Sequence, residues 1–277
     1  MKKVFVSAVM GAIALVLTAY GDGTGPIAQW SFEDAENLGA DSVGNYPFSS
    51  VAGDAGSTAP SQVADGHAGN ALCITRTGSV TGYAMLGPTD HILPSGSSPF
   101  TVSVWIRPNS SCAKSAYIIN RMQLVSGQPN AWTAPSRWTG WLFRFVGEGD
   151  RLLVYFNGWS GTAEDSRNGV LAWIPAGQHN DGKWHHAAFS LDASKKVTIF
   201  WDGVKVGAHK LTTCNVGNDT RLLIGSYEKS NGFSGDYDEI KFYDRTLSDA
   251  EIVEEAGSSP LTQMSHTRSP PPGAYSS

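Results

Sequence analysis

The sequence predicts an all-β protein built as an antiparallel sandwich, and three observations carry that prediction. Short runs of alternating or β-branched apolar residues follow one another along the chain, separated by clusters of Gly, Asn, Asp, Ser and Pro. Asp202-Gly203 stands between two such runs and has the chemistry of a type I′ hairpin turn. Only 16% of the 277 residues are charged, while 31 Gly, 9 Trp and 9 Tyr are present, a balance that suits a turn-rich β domain. With 41% hydrophobic residues the chain can bury the core of one such domain.

The strands are expected at Ile27–Phe32, Phe100–Arg107, Ala116–Asn120, Gly140–Val146, Arg151–Phe156, Trp184–Leu191, Lys196–Trp201, Arg221–Ile224 and Asp238–Tyr243. In the second of these, Phe100, Val102, Val104 and Ile106 alternate with Thr101, Ser103 and Trp105, so one face is apolar and the other mixed. Val204–Ala208 follows the Asp202-Gly203 turn as a hairpin partner, and Gly149-Asp150 joins the strands on either side of it. One helix is expected, at Leu247–Glu255, where Ser248 and Glu251 form a capping box and Leu247, Ile252 and Ala256 share a side. Such a short closing helix is expected on the rim of the sandwich. Residues 257–277 are Ser- and Pro-rich and too polar to fold alone, so they read as a disordered tail.

Residues 1–19 read as a secretory signal peptide, with Lys2 and Lys3 preceding an apolar stretch from Val4 to Leu17, and residues 20–26 as a linker. The end of the signal has the form of a lipoprotein cleavage box, but Tyr20 stands where the acylated Cys belongs. A secreted, periplasmic or cell-surface protein with no membrane span after cleavage is therefore expected. The net charge is −5 and no basic run appears, which argues against nucleic acid as a partner. Cys73, Cys112 and Cys214 allow one disulfide in three possible pairings. Cys73 reads as a small buried hydrophobe, and a bridge, if formed, is expected between Cys112 and Cys214, which lie in polar sequence.

The blocks QWSFED (29–34), ADSVGN (40–45), GNAL (69–72), FTVSVWIRP (100–108), GKWHHAAFSLD (182–192), VTIFWDGVKV (197–206) and FSGDYDEIKFYDRTLSDAEI (233–252) occur in that order. Together they resemble the LamG-like domains of bacterial exported proteins, in the concanavalin A-like lectin/glucanase superfamily, over residues 27–256. The resemblance implies a two-sheet jelly roll with one short C-terminal helix. It does not by itself imply an activity, because that fold carries lectins and glucanases alike. Residues 122–136, rich in Gln, Asn, Pro and Trp, depart from the family pattern and read as an insertion.

Relatives that hold a structural calcium draw it from the first and last strands, so the resemblance implicates Glu33 and Asp238, with Asp41 as a further ligand. The alternative is that these acids cap turns and pair with Arg245 or Lys241. A sugar-binding surface needs aromatic faces for C–H stacking beside hydrogen-bonding side chains. Trp30, Trp105, Trp141, Trp184 and Trp201 fall at framework positions of the resemblance, which leaves Trp132, Trp138 and Trp159, with Arg137 and Asn157, as candidate ligand-binding residues. These aromatics could instead pin loops against the core. Trp173 lies in the short run Val170–Ile174 and is not counted with them.

The paired carboxylates of glucanase-type relatives, E-x-D-x-x-E, are missing: the one E-x-D is Glu148-Gly149-Asp150, followed by Leu153 at the third position, and Glu164 and Asp165 have no telling spacing. His185 and His186 are adjacent on a strand and so face opposite ways. The sequence thus points to a non-catalytic, lectin-like module that binds carbohydrate or engages a cell surface, with calcium (Ca2+) as a stabilising ion. A glycan hydrolase or lyase with an unrecognised site, and a protein–protein adhesion module, are the alternatives.

Overall fold

The fold is described here from a computed structural model, over residues 25–44, 46–53, 55–78, 80–87, 98–124, 138–156, 169–211, 214, 221–226 and 232–257. In chain order the strands are β1 (Ala28–Trp30), β2 (Ser50–Gly53), β3 (Ser61–Val63), β4 (Ala71–Ile74), β5 (Arg76–Thr77), β6 (Val80–Leu86), β7 (Phe100–Pro108), β8 (Tyr117–Asn120) and β9 (Gln123–Leu124). There follow β10 (Trp138–Thr139), β11 (Trp141–Val146), β12 (Arg151–Phe156), β13 (Gly169–Trp173), β14 (His185–Leu191), β15 (Lys196–Trp201), β16 (Val204–Lys210), β17 (Leu222–Ile224) and β18 (Gly235–Tyr243). The helix α1 spans Asp249–Glu255.

Two antiparallel sheets form the sandwich. The first runs β16-β15-β14-β7-β18-β4-β3, with β1 also on β18; the second runs β13-β12-β11-β8-β17-β6-β2, with β5 on β6. Each expected strand is present to within a few residues at its ends. Strands β2 to β6 escaped the sequence prediction because segments such as SVAG and SQV are short and weakly apolar, and pairing partners distant in sequence hold them in place.

Alternation along β7 works as its pattern requires. Phe100, Val102, Val104 and Ile106 are completely buried between the sheets. Phe189 of β14 is the hub of an aromatic seam, its ring centroid 5.6 Å from Phe100, 5.0 Å from Trp141, 5.4 Å from Phe143 and 6.5 Å from Phe156. Three of those four partners belong to the opposite sheet, so the seam bolts the layers together.

Thr101 and Ser103 on the mixed side of β7 are buried as well, by a different device. Helix α1 lies on the outer face of the first sheet rather than on the rim: Leu247 and Ile252 pack on Ala188, Phe200 and Tyr243. That sheet face is apolar enough there to seat a helix. Thr101 donates to the carbonyl of Arg245 at 2.9 Å and accepts from the Leu247 N–H at 2.9 Å, which sets the helix entry. The capping box at Ser248 and Glu251 forms as expected. The Asp202-Gly203 turn has φ of 49° and 76°, the two positive values a type I′ turn needs. No helix among the described residues is long and apolar enough to cross a membrane.

The cysteines depart from expectation. All three are free thiols, so the Cys112–Cys214 bridge is not formed. Cys112, despite its polar sequence surroundings, turns into the core, and burial pushes its thiol up to about 12. Cys73 is only half-buried, and desolvation with the neighbouring Asp236 carboxylate pushes it up to about 11.

Replacing Phe189 with Ala empties the centre of the seam and is expected to cost about 3–5 kcal/mol, measured by denaturant unfolding of the purified variant.

Candidate functional site

The register of the second sheet arranges its outward side chains in three rows across β13, β12, β11 and β8. The first is Trp173–Arg151–Val146, the second Leu171–Leu153–Arg144–Tyr117, and the third Gly169–Tyr155–Leu142–Asn120. The first two rows form an aromatic and guanidinium platform. Trp173 is 64% exposed and Leu171 49% exposed, the two most exposed large apolar side chains described. The Arg151 guanidinium lies over the Trp173 ring at 4.9 Å, and that of Arg144 over the Tyr117 ring at 5.1 Å while donating to its hydroxyl at 3.1 Å. A flat apolar ring edged by fixed N–H donors is the combination that sugar rings stack and hydrogen-bond on. In the third row Tyr155, Leu142 and Asn120 are buried, and Met122 packs with them.

Trp132, Arg137, Asn157 and Trp159 lie outside the described residues, as do Glu164 and Asp165. Trp138 is placed by its backbone, paired with Leu124 in the β9–β10 ladder. The two segments that carry these residues nevertheless have described roots, and the roots coincide. The 125–137 segment returns through β10 and Gly140 to Trp141, the 157–168 segment leaves after Phe156, and Trp141 and Phe156 are cross-strand partners. Gly140, at φ 96°, permits the approach, since a Cβ there would collide with the Arg121 carbonyl. Sequence reasoning passed over Trp173, Arg151 and Arg144. The available signal was the period of two in Gly169–Trp173, which sends Leu171 and Trp173 to one side and Val170 and Ala172 to the core.

The acids of the expected calcium site divide into two groups. Glu33 and Asp238 both hold the loop before β4. Glu33 accepts from the Asn70 backbone N–H at 3.0 Å and its side-chain amide at 2.8 Å, and Asp238 accepts from the Ala68 N–H at 2.8 Å. Gly69 lets the loop come this close, because a Cβ there would collide with the Glu33 carboxylate. Asp238 is fully buried, and desolvation, reinforced by the charges of Glu239 and Glu33, pushes its carboxyl up to about 7 against the pull of its two backbone donors. Asp41 is gripped instead by the N–H groups of Gln29, Val43 and Tyr46, a different loop. Of the cations weighed as partners, Arg245 pairs with Glu251, and Lys241 with Glu239 and Glu255. Among the described residues no three His, Cys, Asp or Glu side chains converge as a metal cage. Both carboxylates are already taken up by N–H donors of the intervening loop.

The histidines behave as two unrelated groups. His186 faces outward on the first sheet, with Nε2 2.8 Å from the Ser103 hydroxyl, and complete burial pushes its pKa down to about 3. His185 stacks on Trp201 at 4.8 Å with Nδ1 2.9 Å from Asp202 and Nε2 3.3 Å from Asp181. Burial disfavours its charge, but the two carboxylates prevail and its pKa is raised. Glu148 sits in the β11–β12 turn paired with Lys114.

A family model described as the concanavalin A-like lectin/glucanases superfamily matches residues 77–253. No curated protein matches the chain. Among solved structures, the binding domain of Paraclostridial Mosquitocidal Protein 1 is similar at TM-score 0.60 and 15% identity, over 84% of this chain and 52% of that one. The binding domain of botulinum neurotoxin DC, solved with rat synaptotagmin II, is similar at 0.58 and 12%, over 84% and 51%. Domain 4 of AbnA, a GH43 extracellular arabinanase from Geobacillus stearothermophilus, solved with arabinotriose, is similar at 0.53 and 20%, over 85% and 100%. The chain thus spans about half the length of the toxin domains and all of the arabinanase domain. At these identities the likeness is one of fold.

His185 supplies a pH test of this rim. Its raised pKa means that its stabilisation is fully present below the ordinary histidine value near 6.5 and is lost as pH rises through the raised value. Thermal melts from pH 5 to 9 are expected to show that fall in the parent protein and a flattened profile in His185→Gln.

Proposed function

The chain belongs to the concanavalin A-like lectin/glucanases superfamily, and from that premise we propose that it is a non-catalytic, lectin-like module that binds polysaccharide on the outer face of its second sheet. One observation carries the reading: Trp173, 64% exposed, stands beside Arg151 on a regular strand. Exposing so large a ring costs hydrophobic stabilisation, of order 1.5–3 kcal/mol for a large apolar side chain, that burial would recover. A ligand that covers it recovers the same term. Trp132, Arg137, Trp138, Asn157 and Trp159 are further ligand-binding residues in this proposal, on the grounds of their residue types. The arabinanase domain named above was solved with a sugar, which supports carbohydrate as the ligand class.

A cell-surface protein as partner is the second reading. It is favoured by exposed Leu171 beside Trp173 and by the synaptotagmin-bound toxin domain among the similar folds. Export fits either reading, and in this proposal residues 1–19 act as the signal that brings it about. Calcium at Glu33 and Asp238 would lock the loop before β4 against β18, a structural role that contributes no chemistry to a ligand. Asp41 supports the same end of the molecule by fixing its own loop.

Trp173→Ala is expected to weaken binding to a retained polysaccharide, read by affinity gel electrophoresis, about tenfold or more (~1.4 kcal/mol) with an unchanged melting temperature. Unchanged retention would remove the platform from the site, and retention of a protein partner unaffected by competing sugars would favour the adhesion reading. For the ion, calcium at a hundred times its dissociation constant contributes about 2.7 kcal/mol, or roughly 5–10 °C in melting temperature over EGTA. Glu33→Gln and Asp238→Asn are each expected to abolish that difference, and a calcium-independent melt of the parent would dismiss the ion.

A further inference from the structure

We infer that the polysaccharide is an acidic one, with anionic groups seated on the guanidinium groups of Arg144 and Arg151 while a neighbouring sugar ring covers Trp173. This rests on the proposed binding face and adds its chemical class. The outward positions of β8, β11, β12 and β13 carry two arginines and no carboxylate, on a chain whose net charge is −5. A face that reverses the sign of the molecule around it concentrates ligands of the opposite sign.

The arginines are also left incomplete by the protein. The Nε of Arg144 is buried without a hydrogen-bond acceptor, although Nη1 reaches the Tyr117 hydroxyl. Arg151 Nε lies 3.4 Å from Asp150 Oδ1, an ion-pair distance, but the two atoms lack hydrogen-bonding geometry. The Arg151 guanidinium lies against Gly147, whose missing side chain leaves room for it, and over Trp173. Buried guanidinium N–H groups are normally satisfied, because leaving one unmade costs more than a neutral hydrogen bond returns. The fork of an arginine matches a carboxylate or sulfate in two-point geometry.

Arg144 and Arg151 are diagonal neighbours across β11 and β12, so their backbones stand about 7–8 Å apart. Two arginines on neighbouring strands beside one aromatic ring read a polymer of charged sugars better than a single charged end group. Each ring that stacks presents its own anionic substituent to one side.

The test uses the whole chain in affinity gels and titration calorimetry against matched polymers: polygalacturonate, its fully methyl-esterified form, alginate, a sulfated galactan, and neutral arabinan. The expected result is binding to at least one charged polymer that is tenfold or more tighter than to the neutral ones, weakens steeply with salt, and falls about tenfold in Arg144→Gln and in Arg151→Gln. Binding of polygalacturonate with loss on esterification assigns carboxylate as the anion; binding of the sulfated galactan alone assigns sulfate. Equal binding of esterified and free polygalacturonate, or of arabinan alone, with Trp173→Ala still harmful, would overturn the charge assignment and leave the face intact. Retention of no polymer by the folded parent would overturn both.

Discussion

Everything in this molecule hangs on β18 having three partners. Its whole length pairs with β7, its first half also with β4, and its second half with β1. A strand in a sheet has two edges, so a third partner requires a switch along its length. The register breaks between Asp238 and Lys241, where Glu239 adopts φ 47°. That irregularity lets the start of the domain take over one edge where β4 stops. It also leaves Asp238 buried at the changeover, facing the loop that Glu33 holds from the other side.

The two sheets then meet solvent very differently, although both began with two faces to cover. The first has its outer face dressed by its own chain: α1 over Ala188 and Phe200, and the loop before β4 laying His67 on Trp105 with ring centroids 3.5 Å apart. Polar side chains there are absorbed into the protein's own hydrogen bonds, as Thr101, Ser103 and His186 are. On the second sheet the rows nearest β13 keep apolar and cationic groups in reach of solvent. The proposed binding face is the one on which large apolar side chains stay exposed, Trp173 and Leu171 above all.

The legible part of the sequence was the part governed by local chemistry. The alternation of β7, the Asp202-Gly203 turn and the Ser248–Glu251 box each need only a handful of neighbouring residues, and all three stand in the structure where the pattern puts them. Glu33 and Asp238 came from resemblance, since nothing local links residues so far apart. The platform was hidden for a related reason. Trp173 in a five-residue apolar run reads as core until β12 is laid beside it and shows Arg151 opposite. Arg144 and Tyr117 become neighbours only through the bulge that shifts β8 against β11. Cys112 misled in the other direction, because burial of a thiol depends on what the loop packs against and not on its polar neighbours.

The shared root of the 125–137 and 157–168 segments has an evolutionary consequence. Both leave from the Trp141 and Phe156 end of two strands whose inward side chains belong to the core, so a change of length there leaves those inward positions untouched. The entropic cost of lengthening a closed loop grows only slowly, about 0.6 kcal/mol per doubling. In the proposed binding role, ligand preference is therefore free to vary with these segments at little cost in stability. The same property makes the pair a natural cassette for exchange, with Leu124 and Trp138 bounding one segment and Phe156 and Gly169 the other.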